Sequence, residues 1–213
     1  VDYCIRGEAD YVIQFLLAFI IDGKPAVDTI AGLSYKTDEG IQHNMPQDYV
    51  NDLDAVPFPP RYLLKNELYY QPFIRGRCCT TLITSRGCPF NCIFCFPMYK
   101  RNRRRSVANV IQEIEECINR YDIHDFEIFD ETFNLQPAWV EAFCDEVIKR
   151  KLDISWRARC RPEFFSRDLA SAMKAANCYM ISMGVESAND ETLKYLKKNY
   201  TVVIVTHNMQ HAG

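Results

Sequence analysis

The chain has 213 residues, of which 48% are hydrophobic and 25% are charged. These values are typical of a folded globular protein, and they exclude a disordered tail, a collagen and a coiled coil. The formal net charge of -3 provides no overall basic field, so we do not expect a nucleic-acid partner.

The longest apolar run, residues 11–21, is about half as long as a membrane-spanning helix and contains Gln14. We therefore expect no membrane span. Residue 1 is Val, and no basic region followed by an apolar stretch and a cleavage site is present, so we expect no signal peptide. We predict a cytoplasmic protein whose ten cysteines stay reduced and, where clustered, bind metal.

The N-terminal part predicts a β-α-β-β arrangement. Residues 1–6 are predicted as a strand, 9–21 as a buried helix, and 30–35 with 41–44 as a β-hairpin. Prolines then collect in residues 54–60, where fixed φ angles and missing N–H donors disfavour helix and central strand. We place a domain boundary there, followed by a short helical stretch over residues 62–70.

The rest of the sequence alternates strands with helices. The predicted strands are residues 80–84, 126–129, 154–158 and 179–183, and the predicted helices are 107–121, 137–150, 167–177 and 190–198. Four successive β-α units predict an α/β fold with a parallel sheet, open or closed into a barrel. The cysteines that fall on predicted strands or helices are expected to be buried small hydrophobes: Cys4, Cys117, Cys144, Cys160 and Cys178.

Three cysteines, Cys88, Cys92 and Cys95, lie within eight residues, separated by three and then two residues. Thiolates are the preferred ligands of iron–sulfur clusters, and three of them would leave one iron of a four-iron cluster open to a substrate. A zinc site also uses such spacing but needs a fourth ligand. The candidates for it, Cys78 and Cys79 upstream and Cys117 and His124 downstream, are awkwardly placed. Unliganded cysteines are the third alternative.

The run from Thr84 to Cys95 resembles the cluster loop of radical S-adenosylmethionine (radical SAM) enzymes, with Phe94 as the aromatic residue before the last cysteine. Residues 126–134 and 184–187 resemble later segments of the same barrel. Residues 1–8, 32–35 and 52–59 are similar to the end of a cobalamin-binding domain and its linker in B12-dependent members. This resemblance implies a partial (β/α) radical SAM barrel preceded by the C-terminal remnant of a Rossmann-like cobalamin-binding domain.

The resemblance also implies a domain organisation. Residues 1–50 would be the cobalamin-domain remnant, 51–77 a proline-rich linker with a short helix, and 78–213 a truncated radical SAM core. The family's histidine motif for cobalamin, DxHxxG, does not occur in the sequence, so we do not expect cobalamin to bind as it does in intact members. About four to five β-α units are present, fewer than in a complete barrel, and residues 202–205 are expected to add an edge strand.

The implied activity is reductive cleavage of S-adenosylmethionine at a [4Fe–4S] cluster held by Cys88, Cys92 and Cys95, or methyl transfer through cobalamin. The implied partners are a small-molecule or cofactor-precursor substrate and an electron donor such as flavodoxin or ferredoxin. The alternative function is a non-catalytic iron–sulfur or zinc fragment with a structural or interaction role.

Five further residues are candidates for binding S-adenosylmethionine. Asp130, Glu131 and Glu186 follow strands whose ends face the barrel mouth and could accept hydrogen bonds from the methionyl ammonium. The alternative for these carboxylates is an acidic helix start. Arg161 would meet the methionyl carboxylate or the ribose, or else form a surface ion pair. Phe94 would pack near the adenine, or else only cover the cluster.

Two further patterns are weaker. The basic run after the cysteine motif is usually a solvated face, although phosphate contact is an alternative: Lys100, Arg101, Arg103, Arg104 and Arg105. His207 and His211 have the i, i+4 spacing of helical metal ligands but no acidic third ligand beside them, so we do not assign a metal to them.

Overall fold

The computed structural model describes residues 2–70, 78–96 and 99–197. The chain divides into two compact units, Val1–Val56 and Pro57–Gly213. The three-part division at residues 50 and 77 remains a prediction. No helix in the described part of the chain is long and apolar enough to cross a membrane. Residues 202–205, His207 and His211 lie outside the described residues.

The first unit contains a three-stranded antiparallel sheet and one helix. Strands β1 (Tyr3–Ile5), β2 (Leu33–Thr37) and β3 (Gly40–His43) pair in that order, and helix α1 (Val12–Asp22) contributes Val12 and Leu16 to a small core with Ile30 and Leu33. The hairpin was predicted correctly. The prediction of a buried helix is wrong, because so small a sheet covers only one stripe of α1 and leaves Phe15 half-exposed and Ile21 75% exposed.

The second unit contains a four-stranded parallel sheet. Its strands are β4 (Cys79–Leu82), β7 (Asp125–Ile128), β8 (Ser155–Cys160) and β9 (Cys178–Met183), in that spatial order. Helices α2 (Val107–Tyr121), α3 (Pro137–Lys149) and α4 (Arg167–Ala175) connect them, and α5 (Asp190–Leu196) follows. The fold is therefore an α/β partial barrel, as predicted. The helical stretch predicted at 62–70 is instead two 3-10 helices, Arg61–Leu63 and Asn66–Leu68.

The two faces of the parallel sheet differ because side chains alternate along each strand. Phe126, Ile128 and Trp156 point to one face and are fully buried in the core beneath the helices. The Trp156 indole N–H donates to the Ala176 carbonyl at 2.7 Å, which satisfies its only polar atom. The intervening residues are charged, and Arg157 pairs with Glu127 across neighbouring strands at 2.8 Å.

The sequence did not predict a short hairpin at the base of the cysteine loop. Strands β5 (Ser85–Arg86) and β6 (Arg103–Arg104) pair antiparallel and bracket the loop. Arg103 and the Arg104 side chain are buried, and Arg104 lies over the Trp139 ring and donates to the Phe133 carbonyl at 2.8 Å. The interpretation of this basic run as a solvated face is therefore wrong for these arginines, because they fill the space beneath the loop.

Behind the sheet, α2 carries a buried carboxylate that joins two arginines. Glu113 pairs with Arg61 at 2.7 Å and also with Arg105, and all three side chains are nearly excluded from solvent. Arg61 also donates to the Thr81 backbone oxygen of β4 at 3.0 Å. This network fixes the segment after the proline-rich stretch to the first strand of the sheet.

The cysteines outside the motif follow the prediction only in part. Cys117, Cys144 and Cys160 are buried, and burial raises the pKa of each thiol to about 12, so they stay protonated. Cys178 is half-buried. Cys4 is exposed because its side chain projects from β1 at the surface, so its predicted burial is wrong.

Candidate functional site

A pocket of about 390 Å³ lies where strands β7, β8 and β9 end and the cysteine loop crosses them. The carboxyl ends of parallel strands are where barrels of this kind build their active sites. Seven of the eight residues predicted for the site line this pocket: Cys88, Cys92, Phe94, Cys95, Glu131, Arg161 and Glu186. Asp130 does not line it.

The base of the cysteine loop is closed by backbone contacts that require a glycine. Gly87 has a φ of +92°, and a Cβ atom there would overlap the Arg101 carbonyl oxygen. The Cys88 N–H donates to the Tyr99 carbonyl at 2.9 Å, and the Asn102 side chain donates to the Gly87 carbonyl at 2.7 Å. The loop is thus anchored to the segment that follows it.

The three motif thiols face the same pocket at different depths. Cys88 is buried, Cys92 is half-buried and Cys95 is exposed. Their donor chemistry suits a soft iron–sulfur centre. In the described residues, however, no three His, Cys, Asp or Glu side chains converge closely enough to hold a metal ion. The three thiols therefore line one pocket, and in the described residues they stand too far apart to form a ligand set together.

Asp130 and Glu131 are neighbours in sequence but differ in their surroundings. The Asp130 carboxylate is 1% exposed and accepts four hydrogen bonds, from the backbone N–H and the hydroxyl of both Thr84 and Ser85, at 2.6–3.1 Å. Its geometry fastens the end of β7 to the start of the cysteine loop. Glu131 is exposed on the pocket wall.

Arg161 lies beside the thiols with a side chain that is 13% exposed. Its guanidinium stacks 3.9 Å above the Phe90 ring, donates to Cys92 Sγ at 3.5 Å and donates to Glu163 Oε1 at 2.8 Å. Burial disfavours its charge, but the hydrogen bonds to Glu163 and Cys92 outweigh this effect and raise the pKa of Arg161. Asn134 fixes the backbone, accepting from the Arg161 N–H at 2.8 Å.

Sequence reasoning missed two charged residues of this network. Glu163 and Lys197 have side chains only 13% and 3% exposed, and their charged atoms lie 3.4 Å apart. Burial opposes the charge of Glu163, but the hydrogen bond from Arg161 prevails and lowers its pKa. Neither residue belongs to a recognisable motif, and only the fold brings Lys197 to the cysteine loop.

The remaining predicted residues line the more open side of the pocket. Glu186 is exposed and has a positive φ of 65°, and its carboxylate lies where a side chain at Gly184 would stand. Phe94 is 55% exposed. Arg159, which was not predicted, reaches the same wall and lies 3.9 Å above the Phe129 ring.

The fold and the cysteine-lined pocket correspond to a known class of proteins. The family model of the radical SAM superfamily matches residues 82–212, which is more than half of the chain. The chain therefore belongs to the radical SAM superfamily, a family of enzymes. The cysteine motif, the strand ends and α5 all lie within the matched region.

Two relatives extend this result. The chain is 32% identical over 207 residues to an uncharacterized methyltransferase of Pyrococcus horikoshii, covering 94% of this chain and 44% of that protein. It is 28% identical to the anaerobic magnesium-protoporphyrin IX monomethyl ester cyclase of Rubrivivax gelatinosus, covering 95% and 37%. The chain spans less than half the length of these relatives.

Solved structures share the fold. The radical SAM methyltransferase TsrM of Kitasatospora setae, solved with cobalamin and a [4Fe–4S] cluster, has a TM-score of 0.71 at 21% identity, covering 94% of this chain and 41% of its own. The cobalamin-dependent S-adenosylmethionine radical enzyme OxsB has a TM-score of 0.72 at 22% identity, covering 93% and 30%.

Proposed function

We propose that this chain is part of a B12-dependent type of radical SAM enzyme that transfers a methyl group to, or rearranges or cyclises, a small-molecule substrate. The observation that carries the proposal is that Cys88, Cys92 and Cys95 all line one pocket at the strand ends, inside the matched family region. The names of the relatives, a methyltransferase and a cyclase, support the reaction class. The alternative is a non-catalytic cluster-binding or zinc-binding fragment.

The three motif cysteines are the proposed ligands of a [4Fe–4S] cluster. When bound, such a cluster supplies the electron that cleaves S-adenosylmethionine reductively. The protein's contribution would be to bind and orient the cluster and S-adenosylmethionine and to shield them from side reactions. Cys88 is buried and its backbone N–H is held by the Tyr99 carbonyl, so it gives the loop a fixed point, whereas the Cys95 thiol lies on the exposed side of the pocket.

The pocket walls have complementary roles toward S-adenosylmethionine in this proposal. Glu131 and Glu186 are exposed carboxylates that would accept hydrogen bonds from the methionyl ammonium. Arg161 would donate toward the methionyl carboxylate or the ribose from its place beside Cys92. Phe94 offers an exposed ring for the adenine. Asp130, whose carboxylate is saturated by Thr84 and Ser85, would act by holding the loop in place.

The proposal also names partners. Reduction of the cluster needs an electron donor such as flavodoxin or ferredoxin, and a cytoplasmic location would supply one. Cobalamin would be bound by the intact protein, with residues 1–50 as the last part of its binding domain and residues 51–77 as the linker to the core at 78–213.

Anaerobic reconstitution with iron and sulfide tests the proposal. The chain is expected to bind iron and sulfide in equal amounts, and the combined Cys88→Ala, Cys92→Ala, Cys95→Ala variant is expected to bind neither. Cys4→Ala, which removes an exposed thiol far from the motif in sequence, is the matched control. Formation of 5′-deoxyadenosine or of S-adenosylhomocysteine would then report turnover. Zinc in place of iron, or unchanged iron in the triple variant, would contradict the proposal.

A further inference from the structure

Two buried cations share one carboxylate beside the motif thiols. Glu163 Oε1 accepts from Arg161 Nη2 at 2.8 Å and lies 3.4 Å from Lys197 Nζ. The Lys197 ammonium also donates to the Gly184 carbonyl at 3.4 Å. The Arg161 guanidinium lies 3.9 Å over the Phe90 ring, and one of its N–H groups donates to Cys92 Sγ at 3.5 Å.

The charge of this group of residues is unbalanced. Arg161 and Lys197 carry two positive charges and Glu163 one negative charge, with side-chain exposures of 13%, 3% and 13%. The other pocket carboxylates, on Glu131 and Glu186, are exposed to solvent. Burying excess charge is costly unless an opposite charge lies nearby. Ligated thiolates in the same pocket would provide that negative charge.

Two atoms of the same group have no partner within the described part of the chain. Arg161 Nε and Glu163 Oε2 are buried and make no hydrogen bond among these residues. Buried polar atoms are usually paired, because an unpaired one costs about 1–3 kcal/mol. The hydrogen bonds among Arg161, Glu163 and Lys197 therefore leave part of the polar capacity of this group unused.

A second contact connects the same two regions through the backbone. The Ile93 N–H, in the middle of the cysteine loop, donates to the carbonyl of Leu196, the last residue of α5, at 2.9 Å. Lys197 is the next residue. The end of α5 thus reaches the loop twice, once through this hydrogen bond and once through Lys197, Glu163 and Arg161 to Cys92.

We infer that Lys197 and Glu163 are positioning residues, which clamp Arg161 against Cys92 and hold the cysteine loop on the end of α5. The role toward a bound cluster rests on the proposed function, whereas the clamp itself is a property of the chain alone. Hydrogen bonds and positive charge near cluster sulfurs raise the reduction potential, so the clamp also sets how easily the centre accepts an electron.

The clamp is tested first without any cofactor, by hydrogen–deuterium exchange and mass spectrometry of peptides covering residues 88–96. Lys197→Met is expected to speed exchange in this segment about fivefold, the change expected from the loss of about one hydrogen bond. Lys197→Arg, which keeps the charge, is expected to restore slow exchange. Lys194→Met, which removes an exposed lysine from the same helix, is the matched control and should change nothing.

Glu163→Gln keeps the shape of the side chain and provides an independent variant if Lys197→Met does not fold. It is expected to speed exchange in the same segment because Arg161 loses its charged partner. In the reconstituted chain, Lys197→Met and Glu163→Gln should bind as much iron as the parent. The midpoint potential of the cluster should fall in Lys197→Met, which removes a positive charge beside the thiols.

The outcomes separate the two proposals. Faster loop exchange in the variants, with no iron bound by any of the chains, would support the clamp and overturn the proposed function. Iron bound with unchanged potential and unchanged loop exchange in both variants would overturn the clamp and leave the proposed function standing. Failure of Lys197→Arg to restore slow exchange would also overturn the clamp, since an effect that does not depend on the charge of residue 197 is merely structural.

Discussion

The carboxylate of Asp130 accepts hydrogen bonds from both the backbone N–H and the hydroxyl of Thr84, at 2.7 and 2.6 Å, across 46 residues of sequence. Asp130 follows β7, and Thr84 precedes the hairpin strand that leads into the cysteine loop. The contact therefore holds the start of the cysteine loop at the end of β7. The buried, hydrogen-bonded Asp130 therefore has a different role from the exposed Glu131, although the sequence suggests a shared role for the two carboxylates.

Replacing Asp130 is expected to destabilise the second unit and to impair cluster assembly. Asp130→Ala leaves buried donors of Thr84 and Ser85 without an acceptor, so the free energy of unfolding should fall by about 3 kcal/mol. Both tryptophans of the chain, Trp139 and Trp156, lie in this unit, so urea unfolding followed by tryptophan fluorescence measures the loss.

Glu131→Ala provides the comparison for Asp130→Ala. Because Glu131 is exposed, this change should alter the free energy of unfolding by less than about 0.5 kcal/mol while weakening binding of S-adenosylmethionine. Isothermal titration of the reconstituted chain measures the affinity. Equal effects of the two substitutions on stability would show that Asp130 is not the fastening residue described here.

Gly87 is expected to tolerate no side chain. Gly87→Ala combines a positive φ with overlap on the Arg101 carbonyl, so we expect a loss of at least about 2 kcal/mol in unfolding free energy and a lower iron content after reconstitution. Gly23 ends α1 with a φ of +71° and has no atom within 4 Å of its Cβ position. Gly23→Ala should therefore leave the iron content unchanged, and equal iron loss in both variants would contradict the argument.

The buried network around Glu113 is expected to be essential for stability. Glu113→Gln removes the charge that balances Arg61 and Arg105, so the free energy of unfolding should fall by about 3–5 kcal/mol. Glu116→Gln, on the same helix, breaks a pair in which Arg120 is 68% exposed and should cost less than about 0.5 kcal/mol. Tryptophan fluorescence during urea unfolding compares the two.

His124 is expected to make stability depend on pH. The pKa of His124 is raised because the ring donates to the Asp153 backbone oxygen at 2.6 Å and to Asp122, and these contacts outweigh partial burial. A raised folded-state pKa means that protonation stabilises the fold. The contribution is complete below the unfolded pKa of about 6.5 and is lost as pH rises through the folded-state value.

The comparison of the parent chain with His124→Gln measures this contribution. The parent should be the more stable of the two at about pH 5.5, and the difference should shrink by about pH 9. Because the Asp122 and Asp153 side chains are almost fully exposed, high salt should reduce the difference. A difference that grows with pH would show that the neutral imidazole is the stabilising form.

The fold of the second unit could be predicted from local signals. Ser106 caps α2 by accepting from the Asn109 N–H, and Pro137 opens α3, so both helices begin where the sequence predicts. The hairpin of β5 and β6 escaped prediction because two residues per strand are too few for a period of two to appear. The buried state of Arg104 depends on Phe133 and Trp139, which lie far away in sequence.

The sequence predicted only those residues of the site that belong to a motif or follow a strand. The spacing of Cys88, Cys92 and Cys95 identified the pocket, and its walls could be placed from the rule that parallel strands end at one edge. Glu163 and Lys197 belong to no motif, and they meet only because the fold brings separate β-α units together. Charge alone does not reveal whether a residue is buried, so the sequence could not distinguish Asp130 from Glu131.

The contact between Arg161 and Cys92 spans 69 residues, and Lys197 lies another 34 residues beyond Glu163. A chain emerging from the ribosome therefore presents its three motif thiols well before the groups that hold the loop have been made. At about 5–20 residues per second, roughly a hundred residues take about 5–20 s to synthesise. Because the groups that hold the loop are made only at the end of that interval, cluster delivery is expected to follow the synthesis of α5.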